Sequence, residues 1–240
     1  MKRYGFGIVV AGFFTMAACS AAPEKGQADD PSAGDSAGEV GADSVEIVPG
    51  VPDRGRDPAV VAIDIAGEGL CTGTLIEKDV VLTARHCVAH TTDQVQCPGG
   101  GRQITKDRDP STLGIYVGDD VAHAQLVASG KELIVPKGSS LCGDDIALIV
   151  LDKDVEGIEP LEVRTTGLTV HDHVRAVGYG KRGDNEPAGT KLLRDHVKIL
   201  EVSRTEFKVG EATCQGDSGG PAIDEAWENH PYLSGCSHGY

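Results

Sequence analysis

Lysine and arginine are scarce and scattered. The 240-residue chain carries 22 of them against 37 aspartates and glutamates, a net charge of −15. Nucleic acid is thereby excluded as a partner, because phosphate binding needs clustered cations. No two cysteines form a close Cys-x-x-Cys pair, which argues against a zinc site. Neither a metal nor any other cofactor is expected. No stretch keeps a helical period for long, and no repeat recurs at a fixed spacing. The uncharged, mostly apolar run from Tyr4 to Ala18 falls short of the ~20 residues that a membrane span needs.

What stands at the N-terminus is the layout of an export signal: Lys2 and Arg3, the apolar run, then small residues. Its ending, "MAACS", resembles a bacterial lipobox, in which Cys19 becomes the lipidated first residue of the mature chain. Met16 replaces the usual leucine, so a plain secretory signal is the alternative. Export agrees with the cysteines. Seven is an odd number. With Cys19 taken by lipid, Cys71, Cys87, Cys97, Cys142, Cys214 and Cys236 remain to form bridges in an oxidising compartment, in any of several connectivities. Residues 20–46 hold seven acidic residues, one lysine and almost no large apolar side chains. Such a segment cannot offset the entropy of ordering. The expected organisation is an export signal over 1–18, a disordered acidic tether over 19–46 and one folded domain over 47–240.

From Ile47 onward short β-branched runs appear: "AVVAIDI" (59–65), "TGTLI" (72–76), "DVVLT" (79–83), "ELIVP" (132–136), "DIALIVL" (145–151), "HVRAVGYG" (173–180) and "HVKILEV" (196–202). Gly, Pro, Asp and Asn separate them, which predicts an all-β sandwich or barrel. "CPGGGRQITKDRDPSTLG" (97–114) reads as a long exposed loop.

"ATCQGDSGGPAI" (212–223) sets Asp217 and Ser218 among Gly216, Gly219 and Gly220. Glycine costs chain entropy and permits a sharp turn with close backbone approach. The bland reading is a surface turn. The chemical one is a presented nucleophile, which needs a base and an acid to orient it. "VVLTARHCVAH" places His86 at the end of a strong strand, and "GDDIALIVLD" offers Asp144 and Asp145, of which Asp145 adjoins the apolar run.

"LTARHC", "DIAL" and "GDSGGP", in that order, resemble the three catalytic blocks of the trypsin/chymotrypsin family of serine proteases. The resemblance runs from about Ile47 to the C-terminus. It implies two packed antiparallel six-stranded β-barrels with the active site in the cleft between them. It implies further that Ser218 attacks the scissile carbonyl, His86 takes and returns the proton, and Asp145 holds the tautomer of His86. The backbone N–H groups of Gly216 and Ser218 become the oxyanion hole. A Cys71–Cys87 bridge would fix the backbone that holds His86, and Cys236 pairs with Cys214, leaving Cys97 and Cys142. Asp217 pairs with a buried N-terminal amine, which cleavage before Ile47 would supply, so a zymogen is expected. Pro49 and Glu46 depart from the family's activation pattern, and an uncut first strand is the alternative.

By the same resemblance Ala212 and Thr213 lie at the floor of the specificity pocket, with Ser237 and His238 on the strand lining it. Ala212 supplies no charge, so an apolar or small substrate side chain is the first expectation and an acidic one, met by Thr213 and His238, the second. The family continues with a final strand and helix beyond the position of Tyr240, so a truncated second barrel is expected. The expected partner is a protein or peptide substrate, membrane contact arises only through Cys19, and the chain is expected to be a monomer. The rival class of function is a catalytically impaired, protease-like surface lipoprotein that acts as a binding module. "HDH" (171–173) reads as a solvent-facing strand end rather than a metal pair, and Tyr179 as core.

Overall fold

The computed structural model describes residues 12–14, 50–92, 102–182, 186–203, 206–209, 215–225 and 232–237, the first and last of these as backbone only. Strands dominate, and the helical elements among the described residues are two 3₁₀ turns, Arg85–Val88 and Pro110–Thr112. No helix among them is long and apolar enough to cross a membrane.

Six strands close into a barrel, in the order Ala147–Leu151, Val80–Thr83, Leu70–Glu77, Val60–Ile65, Leu113–Val117 and Gln125–Ile134. Every pairing in it is antiparallel. The strand Val60–Ile65 shows why the sequence reads as an unbroken apolar run rather than an alternation. Val61, Ile63 and Ile65 fill the barrel with Leu75, Val81, Leu113, Ile115 and Ile149. Val60 and Ala62, on the opposite face, pack against Val177, Tyr179, Leu193 and Ile223 of the second lobe. A strand buried on both faces has no polar side to show. Each fully buried aliphatic side chain contributes about 1.5–3 kcal/mol.

The second lobe is an eight-stranded sheet. Its antiparallel run comprises Tyr232–Ser237, Pro221–Asp224, His173–Gly178, Leu192–Val202 and Phe207–Val209. Val51–Pro52 joins it beside Leu192 and Leu193. Glu162–Val163 and Gly12–Phe14 run parallel along Tyr232–Ser237. The all-β, two-lobed expectation therefore holds, with closure recorded for the first lobe.

One expectation does not hold. The segment 97–114, expected to be an irregular loop, contains the strand Ile104–Asp107, paired with Ala89–Thr91, and the Pro110–Thr112 turn. Buried Ile104 packs with Ala89 and Leu141, which gives this short ribbon its own apolar contact. Asp109 caps the turn by accepting from the Ser111 N–H, with Pro110 at its first position. Pro110, which made the segment look irregular, opens the turn, and the strand Ile104–Asp107 itself holds no glycine or proline.

A buried charge network ties residues 53–60 to the second lobe. The Lys191 ammonium donates to the carbonyls of Asp57 (3.0 Å) and Val60 (3.3 Å), lies 3.4 Å from the Asp53 carboxylate and stands 5.8 Å from the centre of the Tyr179 ring. Arg175 donates to Asp57 at 2.7 Å. Tyr179, read as core, is fully buried, and its hydroxyl donates to the Gly118 carbonyl at 2.6 Å. Burial pushes the Asp57 carboxyl above the usual carboxylate range, against the opposing pull of Arg175. Removing one member of such a buried pair costs about 3–5 kcal/mol, because the other charge is left uncompensated. Lys191→Met is therefore expected to lower stability by about that amount in chemical denaturation; an unchanged midpoint contradicts the anchoring role. Because folded Asp57 binds its proton more tightly than the unfolded chain does, its own contribution to stability grows as pH falls through the raised folded value. Comparison of melting temperature against pH for the parent and Asp57→Asn checks the sign: the variant loses that component.

Candidate active site

The antiparallel pairing of Ala147–Leu151 with Val80–Thr83 sets Ala147 opposite Thr83. Continued two residues beyond that pair on each chain, the same register brings Asp145 against the Arg85–Val88 turn. There the fully buried Asp145 carboxylate accepts twice from one residue: Oδ1 from the backbone N–H of His86 and Oδ2 from its Nδ1, both at 2.8 Å. An ionised carboxylate can only accept, so Nδ1 carries the hydrogen of this bond. The His86 side chain remains 18% exposed, with its Nε2 3.8 Å from the Cys87 sulfur. The neighbouring Arg85 is buried and paired with Asp107 of the ribbon.

The disulfide Cys71–Cys87 anchors the same turn to the strand Leu70–Glu77. Closing a loop of this length stabilises the fold by about 3 kcal/mol through the unfolded chain. The sulfurs lie near the imidazole, and Cys71, His86 and Cys87 form a compact group of metal-ligating side chains among the described residues. With both sulfurs joined in a bridge, no thiolate is available there. Cys142 is also disulfide-bonded.

Ser218 is buried within the turn that precedes the strand Pro221–Asp224. The flanking glycines have distinct physical reasons. Gly216 has φ +104°, a backbone conformation that side chains disfavour. A Cβ on Gly219, itself at φ +81°, would lie 2.1 Å from Thr83 Oγ1 and 2.4 Å from the Thr72 carbonyl. The turn packs directly on two strands of the barrel. Asp217 accepts from the Gly180 N–H at 2.6 Å, in a notch that a Cβ at Gly178 or Gly180 would occupy.

Two threonines absent from the sequence reading hold this turn. The Thr72 N–H donates to the Ser218 carbonyl at 2.9 Å, its hydroxyl donates to the Gly216 carbonyl at 2.9 Å, and that hydroxyl accepts from the Tyr179 N–H at 3.1 Å. Thr83 donates its hydroxyl to the Thr72 carbonyl at 2.8 Å. The available signal was a hydroxyl within each apolar strand, since a buried hydroxyl must find partners. The sequence does not say which.

His86 and Asp145 are thus in direct contact, and Ser218 is joined to them through the dipeptide Cys71–Thr72. The Ser218 carbonyl oxygen also lies 3.6 Å from the Cys87 sulfur, one residue from His86. Ile47, Cys97, Ala212, Thr213, Cys214 and His238 lie outside the described residues, as does Cys19; Cys236 and Ser237 are described only as backbone of the last strand. His171 and His173 are exposed. Exposed His196 pairs with Glu225 at 2.9 Å.

An all-β fold with a carboxylate-held imidazole on one lobe and a glycine-bounded serine turn packed on two of its strands is consistent with a serine hydrolase. Residues 47–237 match the trypsin family, and the chain belongs to it. It is 28% identical over 191 residues to kallikrein 1-related peptidase b22 of Mus musculus, covering 71% of each chain. It is also 28% identical over 191 residues to chymotrypsin-2 of Vespa crabro, covering 71% of this chain and 79% of that protein. A trypsin-like protease of Streptomyces glaucescens is 30% identical over 169 residues, 63% of this chain and 58% of the other. The chain is accordingly a serine-type peptidase in general terms, a hydrolase with protein or peptide substrates.

Gly219→Ala is expected to destabilise the protein by about 2–4 kcal/mol, because both the backbone angle and the space oppose a methyl group. A melting temperature within a degree of the parent's contradicts the packing described.

Proposed function

We propose that the protein is an exported serine endopeptidase that cleaves through an acyl-enzyme, with Ser218 as nucleophile, His86 as general base and then acid, and Asp145 as the group that orients and stabilises the imidazolium. The observation that supports this reading is the pair of hydrogen bonds that His86 makes to Asp145 through its backbone N–H and its Nδ1, which orient the ring so that Nε2 is the nitrogen that serves as base. In the first step the Ser218 hydroxyl loses its proton to Nε2 as its oxygen attacks the peptide carbonyl. The carbonyl oxygen gains charge that the N–H groups of Gly216 and Ser218 receive. The imidazolium then protonates the departing amine. Water repeats the sequence and releases the acid.

Three further assignments belong to the same reading. Cleavage before Ile47 frees an amine that joins Asp217, whose carboxylate already meets the second lobe at Gly180. Ala212 and Thr213, with Ser237 and His238 beside them, form a pocket without fixed negative charge, favouring small or apolar substrate side chains. Cys19 carries a lipid in a bacterial envelope, in keeping with the bacterial relative.

Fluorophosphonate labelling tests the core of the proposal. The parent protein is expected to label on Ser218 and Ser218→Ala is not; an unlabelled, correctly bridged and processed parent supports the binding-module reading instead. Asp145→Asn is expected to lower kcat by about 10³–10⁴-fold through the wrong imidazole tautomer. N-terminal sequencing of active material is expected to read Ile-Val-Pro-Gly, and full activity with the tether intact overturns the activation step.

A further inference from the structure

The glycines around Ser218 permit the turn but do not select it. A residue such as Gly216, at φ +104°, has access to many other conformations. Donors that must face a single point in the transition state need a fixed backbone, since an electrostatic site works by being organised beforehand. Something outside the turn has to supply that preference.

We propose that Thr72 is the positioning residue that sets the oxyanion-binding geometry of this enzyme; the inference rests on the serine-peptidase reading above. Thr72 grips the turn at both ends. Its hydroxyl holds the Gly216 carbonyl and so fixes the peptide plane between Gly216 and Asp217. Its own N–H holds the Ser218 carbonyl and fixes the plane between Ser218 and Gly219. The peptide that carries the Ser218 N–H lies between these two planes, and the peptide that carries the Gly216 N–H adjoins the first of them across the Gly216 Cα. The hydroxyl is in turn oriented from outside. Its acceptor side receives the Tyr179 N–H, so its hydrogen is directed at Gly216. The Thr72 carbonyl is held by Thr83, which closes the chain of bonds on the barrel.

Burial makes this arrangement strict. Thr72 and Thr83 are fully buried, so no water replaces a lost partner without rearrangement. The covalent neighbour matters as well, because Cys71 bridges to Cys87 beside His86. Residues 71 and 72 therefore set the base through a disulfide and the oxyanion donors through hydrogen bonds. A shift of this dipeptide moves both halves of the site together.

The test compares Thr72→Val, which keeps the shape and removes the hydroxyl, with Thr72→Ser, which keeps the hydroxyl, in the mature enzyme. Rates are normalised to active sites titrated with a fluorophosphonate. For Thr72→Val, kcat on a peptide amide is expected to fall about 10- to 100-fold, less than the full loss of an oxyanion donor, with KM changed by less than about 3-fold. Affinity for a peptidyl boronate, which mimics the tetrahedral state, is expected to fall in proportion to kcat/KM. Thr72→Ser is expected to stay within about 3-fold of the parent. A purely structural role would lower the melting temperature and the titratable fraction while leaving kcat per titrated site unchanged, and that outcome overturns the proposal. So does a Thr72→Ser enzyme as slow as Thr72→Val, or an effect confined to KM. If Thr72→Val does not fold, Thr72→Ala, which lacks the hydroxyl without adding an apolar branch against the Gly216 carbonyl, carries the same comparison. Failure of the underlying reading shows separately, as a parent enzyme that no fluorophosphonate labels, and it removes this inference as well.

Discussion

A carboxylate shut away from water must be met by donors or lose its charge, and Asp145 is met by two from a single residue. That requirement organises the first lobe. The strand register delivers Asp145 to the turn, the turn offers the backbone N–H and the imidazole together, and the disulfide keeps the turn from drifting. None of these features alone orients His86. A rotation of the ring would break the side-chain bond while the backbone bond still pinned the carboxylate, so the geometry strongly favours one ring orientation.

The second lobe meets this arrangement along a seam in which most groups are either apolar or satisfied by hydrogen bonds. Val60 and Ala62 give the barrel a second apolar face, and Val177, Tyr179 and Ile223 receive it. Threonine hydroxyls sit where that face adjoins the serine turn. This division of labour is physically sensible. Apolar contact stabilises without direction, whereas hydrogen bonds contribute modest energy but fix orientation. The site lies where an undirected contact changes into a directed one.

The candidate site residues were more legible in the sequence than the contacts that hold them. His86, Asp145 and Ser218 stood out because each sits at a boundary between an apolar run and a turn, and because their blocks matched a family in order. The strands were legible for the same reason, yet the run 132–136 overlapped only the last three residues of Gln125–Ile134, whose earlier part mixes Leu126, Val127 and Ala128 with Gln125, Ser129 and Gly130. Residues 104–107 were hidden among glycines, prolines and charges. Thr72 was invisible in a different way. Its type was plain, but its partners Gly216 and Tyr179 lie more than a hundred positions away, and no local pattern encodes a contact of that span. The ion pairs of Lys191 and Arg175 share this property, since a charged residue within a sheet reads as exposed until its partners are known.

The clasp formed by Lys191, Arg175, Asp53 and Asp57 has one geometric consequence. Together with the pairing of Val51–Pro52 against Leu192 and Leu193, it fixes the chain from Val51 onward, so an amine created at Ile47, as proposed, would lie four residues from a fixed point, at most about 14 Å in reach. A terminus confined to so small a volume experiences an effective concentration in at least the millimolar range. Docking such a terminus would become an intramolecular event that needs little intrinsic affinity, and the edge pairing and the buried ions behind it determine how short that leash is.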